Sequence, residues 1–326
     1  MPTVAEQLRA ALKRPCARIE GDYSEPLKIP RPYFGAFHSV SMVLAARAKC
    51  DLMVGKTDAA LDELTFLNRF RQVLDLRPSG KPTTFIIAMS EIVFVDRYVK
   101  TILDGQQKHA WNDEQLASLQ SQLQQINLPQ RVSDTIRAEI PWDCCLFETD
   151  VIPHLGRKHL LEGWILQNLV TLTTYNEQAI NVIDLSSDTV SPAKLDGLER
   201  QREQFYSHHA SPGNFLAMII FPEYKDVLQT TAYNQTLVNE TQVVCALERY
   251  RLGEYPETLD ALIPRFAETI PHDIIGGQQL HYRRMSGGKY LLYSVGWNQT
   301  DDGGQESPKD ENGSIEYTNG DWVLEN

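Results

Sequence analysis

The sequence predicts an α+β protein, an irregular helical bundle followed by a long helix and a small antiparallel sheet. Three observations carry that expectation. Apolar residues recur at helical spacing from Phe37 to about Thr174, the chain runs from Glu223 to Leu252 without proline or glycine, and two β-rich runs flank Gly287-Gly288. With 326 residues, 42% of them apolar and 23% charged, the chain has enough hydrophobic surface to fold throughout. That length exceeds what one small core needs, so two domains are expected. The expected division is an extended lead-in over 1–33, a helical domain over 34–175, a connecting segment over 176–222 and a helix-and-sheet domain over 223–326.

Each element has its own signal. Glu20 to Tyr33 holds Pro26, Pro30 and Pro32, which forbid a continuous helix. A first helix then carries Val40, Val43, Leu44, Ala48 and Leu52 and stops at Gly55. Asp58 is placed to cap the next, which carries Ala59, Leu61, Leu64, Leu67 and Leu74 and ends before Pro78-Ser-Gly80. Thr83 to Leu103 is apolar on most faces, as a central bundle helix is. Asn112 is the expected N-cap of a helix through Leu116, Leu119 and Leu123 to Pro129, with further helices over Ser133–Glu148 and His159–Thr174. The alanine-rich pair from Ala45 to Leu61, hinged at Gly55, resembles a tetratricopeptide helical hairpin. No second copy follows at a period near ~34 residues, so an irregular bundle is expected rather than a solenoid.

The C-terminal part reads as a helix from Glu223 to about Leu252 with Leu228, Ala232, Leu237, Val244, Ala246, Leu247 and Tyr250 as its apolar stripe and Gly253 as its stop. A short helix with Leu259, Leu262 and Ile263 follows. Leu280–Ser286 and Lys289–Val295 form a hairpin, and Trp322-Val-Leu supplies a third strand. The order Ala246–Leu252, Tyr255-Pro256, Leu259, Leu262, Pro271-His-Asp273, Gly276, Leu280-His-Tyr282, Tyr290–Gly296 and Asp301-Asp-Gly-Gly304 resembles the C-terminal domain of major type II secretion pseudopilins. It is similar above all to that domain as it occurs, behind a helical region, in envelope proteins of planctomycete- and verrucomicrobia-type bacteria. Two departures stand out. Ile274 and Gln279 occupy positions where the family usually has proline, and the apolar N-terminal helix of pseudopilins is missing.

The resemblance implies a calcium ion in the loop after the second main strand, here Trp297–Gly304, with Asp321 returning beside it. Asp301, Asp302 and Asp321 are the expected ligands and Asn298 the next, since Ca²⁺ takes six to eight hard oxygens. The competing reading of the same residues is a solvated acidic loop, because eight acidic residues face a single lysine between Gln299 and Asn326.

Other chemistry is thinly represented. A formal charge of -12 repels nucleic acid and anionic membranes. The five cysteines include no CxxC pair, and the adjacent Cys144 and Cys145 are expected to split between core and helix flank. His208-His209, and His154 with His159, lack metal-binding spacing, and no P-loop, dinucleotide fingerprint or nucleophile elbow occurs, so no catalytic residue is assigned. No apolar run approaches ~20 residues. The expectation is a non-enzymatic, partner-binding protein on the periplasmic side of the bacterial envelope, tied to the membrane through an anchor that precedes this sequence. The alternatives are a cytoplasmic helical scaffold and a soluble enzyme with an interdomain site.

Overall fold

The computed structural model describes residues 4–13, 33–75, 85–155, 162–251, 254–308 and 315–325. Its architecture is α+β. Eleven α-helices are described, α1 (Val4–Ala11), α2 (Tyr33–Met53), α3 (Thr57–Asp75), α4 (Phe85–Gln107), α5 (Asp113–Leu123), α6 (Leu128–Leu146), α7 (Ile152–Leu155), α8 (Glu162–Ile180), α9 (Pro192–Ser207), α10 (Phe215–Ile220) and α11 (Lys225–Tyr250). The strands are β1 (Ile183–Asp184), β2 (Thr189–Val190), β3 (His281–Met285), β4 (Lys289–Ser294) and β5 (Trp322–Glu325).

The helical hairpin forms as its composition dictates. Ala45, Ala48 and Ala60 are buried between α2 and α3, where small side chains let the two axes approach, and Gly55 turns the chain at φ +75. Helix α5 opens with the expected cap. The Asn112 carboxamide accepts from the Gln115 N–H at 2.9 Å, and the Gln115 side chain accepts from the Asn112 N–H at 3.0 Å. Pro129, expected at a helix end, sits instead in the first turn of α6, where its missing N–H costs no hydrogen bond.

Two expectations change. The lead-in over 1–33 is helical over Val4–Ala11, and Arg9 of α1 reaches Glu63 at 2.9 Å and lies over the Phe66 ring; the proline-rich stretch before Tyr33 falls outside the described residues. The segment 176–222 is more than a connection. It contains the end of α8, the β1–β2 hairpin, α9 and α10, and Ala217 closes a small separate core with Phe147, Ile165 and Leu172. Apolar burial outweighs the segment's polar composition, because Val182, Ile183, Val190, Leu195 and Leu198 all enter the main core.

Helix α11 organises the rest. It packs on α4, α5 and α6 and also on β4 and β5; the main core takes in residues from Leu44 to Trp322, while Val244, Ala246 and Leu247 at the helix's C-terminal end form a second core with Tyr255, Leu280, Tyr290 and Leu292. The stripe at Leu228, Ala232, Leu237, Val244, Ala246 and Leu247 is buried as expected. So are Gln229, Asn234, Gln235, Glu240 and Gln242 on its other faces. Some of these polar groups hold neighbouring loops. Gln235 accepts from the Leu128 N–H at 2.9 Å and donates to the Ile126 carbonyl at 3.3 Å, thereby fixing the α5–α6 turn. The sheet has the order β3-β4-β5, all antiparallel, with Met285 opposite Lys289 around a Ser286-Gly287-Gly288 loop whose glycines both have positive φ.

Candidate functional site

The four expected calcium ligands lie together at one end of the sheet, where the loop after β4 meets the residue before β5. Asp321 is fully buried. Its carboxylate accepts from the Gly304 N–H at 2.7 Å and the Asp302 N–H at 3.3 Å, and its carbonyl accepts from Ser307. Burial pushes the Asp321 carboxyl up, those two N–H groups pull it down, and the charges of Asp302 and Asp301 push it up again.

Asp301 and Asp302 are exposed. Asp301 accepts from the Gly303 N–H at 2.9 Å and the Tyr293 hydroxyl at 3.0 Å, which hold its carboxyl below the usual range, and it faces His281 at 3.4 Å. Asn298 donates to Asp302 at 2.9 Å and accepts from the Thr300 N–H at 2.9 Å. The loop is therefore stitched to itself by polar groups of this chain. Hard oxygens suit calcium in kind, yet most already serve a protein donor, and among the described residues no three His, Cys, Asp or Glu side chains converge into a metal-binding group.

A second constellation was not singled out in the sequence. Glu240 of α11 and Asp273 are both buried, at 2% and 1% exposure, and repel one another. Asp273 accepts from the Ile275 N–H at 2.8 Å and the Val295 N–H at 3.1 Å. Burial raises its pKa, and these donors with the Ser294 hydroxyl oppose the rise. Glu240 is raised well above the ordinary carboxylate range by burial first and by Asp273 second, and its Oε1 has no hydrogen-bond partner. Both causes favour its neutral form, against a hydrogen bond from the Ser294 backbone that favours the charged one. The signal was available, since Glu240 is the single charged residue between Asp226 and Glu248.

A third group clasps the C-terminal end of α11. The Tyr255 hydroxyl donates to Glu248 Oε1, His109 Nδ1 lies 3.3 Å from Glu248 Oε2, and Arg251 donates to the Tyr255 oxygen at 3.2 Å. Burial pushes the Tyr255 phenol up to about 12, helped by Glu248. His109 takes φ +47 to reach this position.

The remaining candidates resolve simply. His208 and His209 are exposed, and the His208 ring lies 2.6 Å from the Gln204 carbonyl at the end of α9. The side chain of His154 and all of His159 fall outside the described residues. Cys144 and Cys145 are free and both half-buried, so neither enters the core. Both lie between Pro141 and the π-helical turn Phe147–Val151. No family model, no curated protein and no solved structure matches this chain.

Proposed function

We propose that the chain is a non-catalytic, partner-binding protein of the bacterial envelope, with an assembly role related to secretion or pilus-like systems and facing the periplasm. The observation that carries the binding role is the apolar surface of α8 and α10. These two helices pack on each other and leave Trp164, Leu166, Val170, Phe215 and Ile219 between 44% and 66% exposed. Leu166 and Val170, like Phe215 and Ile219, are four apart and so share a helix face. The resemblance of residues 223–326 to pseudopilin domains supports the assembly setting. Among the described residues no helix is long and apolar enough to cross a membrane, so membrane attachment in this reading belongs to a segment other than those helices.

The test is a photo-crosslinking residue at Val170 in envelope fractions of the source cells. One discrete adduct is expected, and it should vanish when Leu166→Glu and Phe215→Glu are introduced together while the melting temperature holds. An adduct that persists in that variant, or none at all, overturns the reading.

Calcium enters as a structural ion of the 298–321 loop, held by Asp301, Asp302, Asp321 and Asn298. What favours it is the mutual repulsion that Asp301 and Asp302 exert on buried Asp321, which a cation relieves. A bound ion competes with Asn298 for Asp302 and with Tyr293 for Asp301. Melting in EDTA and in millimolar Ca²⁺ checks this. A ligand at about 100 times its Kd adds about 2.7 kcal/mol, and Asp302→Ala should abolish the gain.

A further inference from the structure

A cavity of about 500 Å³ opens beside the β1–β2 hairpin, lined chiefly by Ser187, Thr189, Ser191, Pro192, His272 and Gln299. It draws on three separate stretches of chain, the hairpin running into α9, the 272–277 turn, and the loop after β4.

Its frame is fixed by backbone. The Val190 N–H donates to the Ile274 carbonyl at 2.9 Å, Val190 bridges Ile275, and His272 bridges Gln279. From below, Asn239 of α11 donates to the His272 carbonyl at 3.1 Å. Positive φ gathers here as well, with Gln299 at +57, Gly276 at +82, Gly277 at +72, and Asp188, which the hairpin places between two lining residues, at +49. A side chain at Gly277 would press the Thr189 methyl at 3.2 Å, so a bare backbone there keeps the wall thin.

The chemistry of the wall selects a ligand class. None of the nine lining residues carries a carboxylate, an ammonium or a guanidinium. His272 Nε2 lies 3.2 Å from the Asp188 carbonyl, which only accepts, so Nε2 is the donor in this contact. Ser187 and Thr189 share one hydrogen bond at 2.8 Å and Ser187 also bonds Asp184, so their oxygens chiefly accept, while the Gln299 amide both donates and accepts. Asp184 and Asp188 are exposed on the same hairpin and repel anions from its vicinity. Pro192 adds an apolar surface without an N–H.

We propose that this cavity binds a small uncharged ligand rich in hydroxyl and amide groups, of the saccharide class. Uncharged donors and acceptors on a backbone-pinned frame match a polyol, whose hydroxyls each need both kinds of partner, whereas no charged side chain lines the cavity itself to pair with an ion.

The experiment is saturation-transfer NMR on the full chain with millimolar N-acetylglucosamine, and with inorganic phosphate as the charged control. Two variants report the site. Thr189→Val removes one hydroxyl with little change of shape, and Gln299→Gly removes the amide while suiting the positive φ. The proposal expects transfer to the sugar, a several-fold loss in either variant at unchanged melting temperature, and no perturbation of the His272 ring signals by phosphate. Absence of transfer, equal transfer in parent and variants, or a phosphate response at His272 overturns it.

Discussion

Two buried charge clusters in this molecule are solved in opposite ways. In the helical bundle, Glu91 of α4 lies between Arg71 of α3 at 2.5 Å and Arg131 of α6 at 2.7 Å, all three nearly inaccessible to solvent. At the junction of α11 with the sheet, Glu240 and Asp273 are equally buried, and among the described residues neither makes an ion pair; backbone N–H groups serve them, while burial and their mutual repulsion favour the neutral forms. Charge pairing ties three helices together in the first case. In the second, burial and mutual repulsion raise both carboxyls, so that junction loses stability as pH rises.

The sharpest break of this contrast is Glu91→Gln, which leaves two guanidiniums facing an amide. A loss of about 3–5 kcal/mol is expected in urea unfolding. Asp273→Asn comes next. It turns one acceptor of the Ile275 and Val295 N–H groups into a donor, for a loss of about 1–3 kcal/mol by the same assay.

Glu240→Gln is expected to alter the pH dependence more than the stability itself. A carboxyl whose folded pKa is raised contributes its full stability below its unfolded value, about 4.3 for Glu, and loses it as pH climbs toward the folded pKa, by up to about 1.4 kcal/mol per pH unit. Asp143, raised by burial to about 6 and hydrogen-bonded to Asn176 at 3.0 Å, contributes a decline of the same sign that is complete near pH 6. Stability measured upward from about pH 4.3 should therefore fall in the parent and fall less in Glu240→Gln, while Asp143→Asn should flatten only the range from about 4 to 6. A pH dependence in Glu240→Gln identical to the parent's would remove this carboxyl pair from the comparison. The smallest effect belongs to Asp113→Ala. Asp113 is two-thirds exposed, and Arg249 keeps its bonds to Gln120 and Phe266, so no more than about 0.5 kcal/mol should be lost on melting.

The legibility of this chain follows the range of the forces involved. The hairpin at Gly287-Gly288, the capping box at Asn112 and the length of α11 are set by neighbours in sequence, and each was readable from glycine, proline and cap residues. The buried polar faces of α11 were not. Gln229, Asn234, Gln235 and Gln242 read as a solvent face by hydropathy, and the partners that cover them lie far away in the chain. The two-residue strands β1 and β2 are too short for any alternation to show, which hid the hairpin and the cavity beside it. In the acidic loop the residue types were apparent, but sequence did not disclose that Asp321 is buried and occupied by two backbone donors while Asp301 and Asp302 face solvent.

The Gln235 side chain that closes the α5–α6 turn has a consequence for biosynthesis. The N–H of Leu128 finds its partner 107 residues further along the chain. Until α11 has been synthesised, the α5–α6 turn lacks that acceptor and the donor to the Ile126 carbonyl, and the core lacks Leu228, Ala232, Leu237 and Val238. Because α11 packs on α4, α5 and α6 and also on β4 and β5, the helix that completes the bundle is also the one on which the sheet is laid.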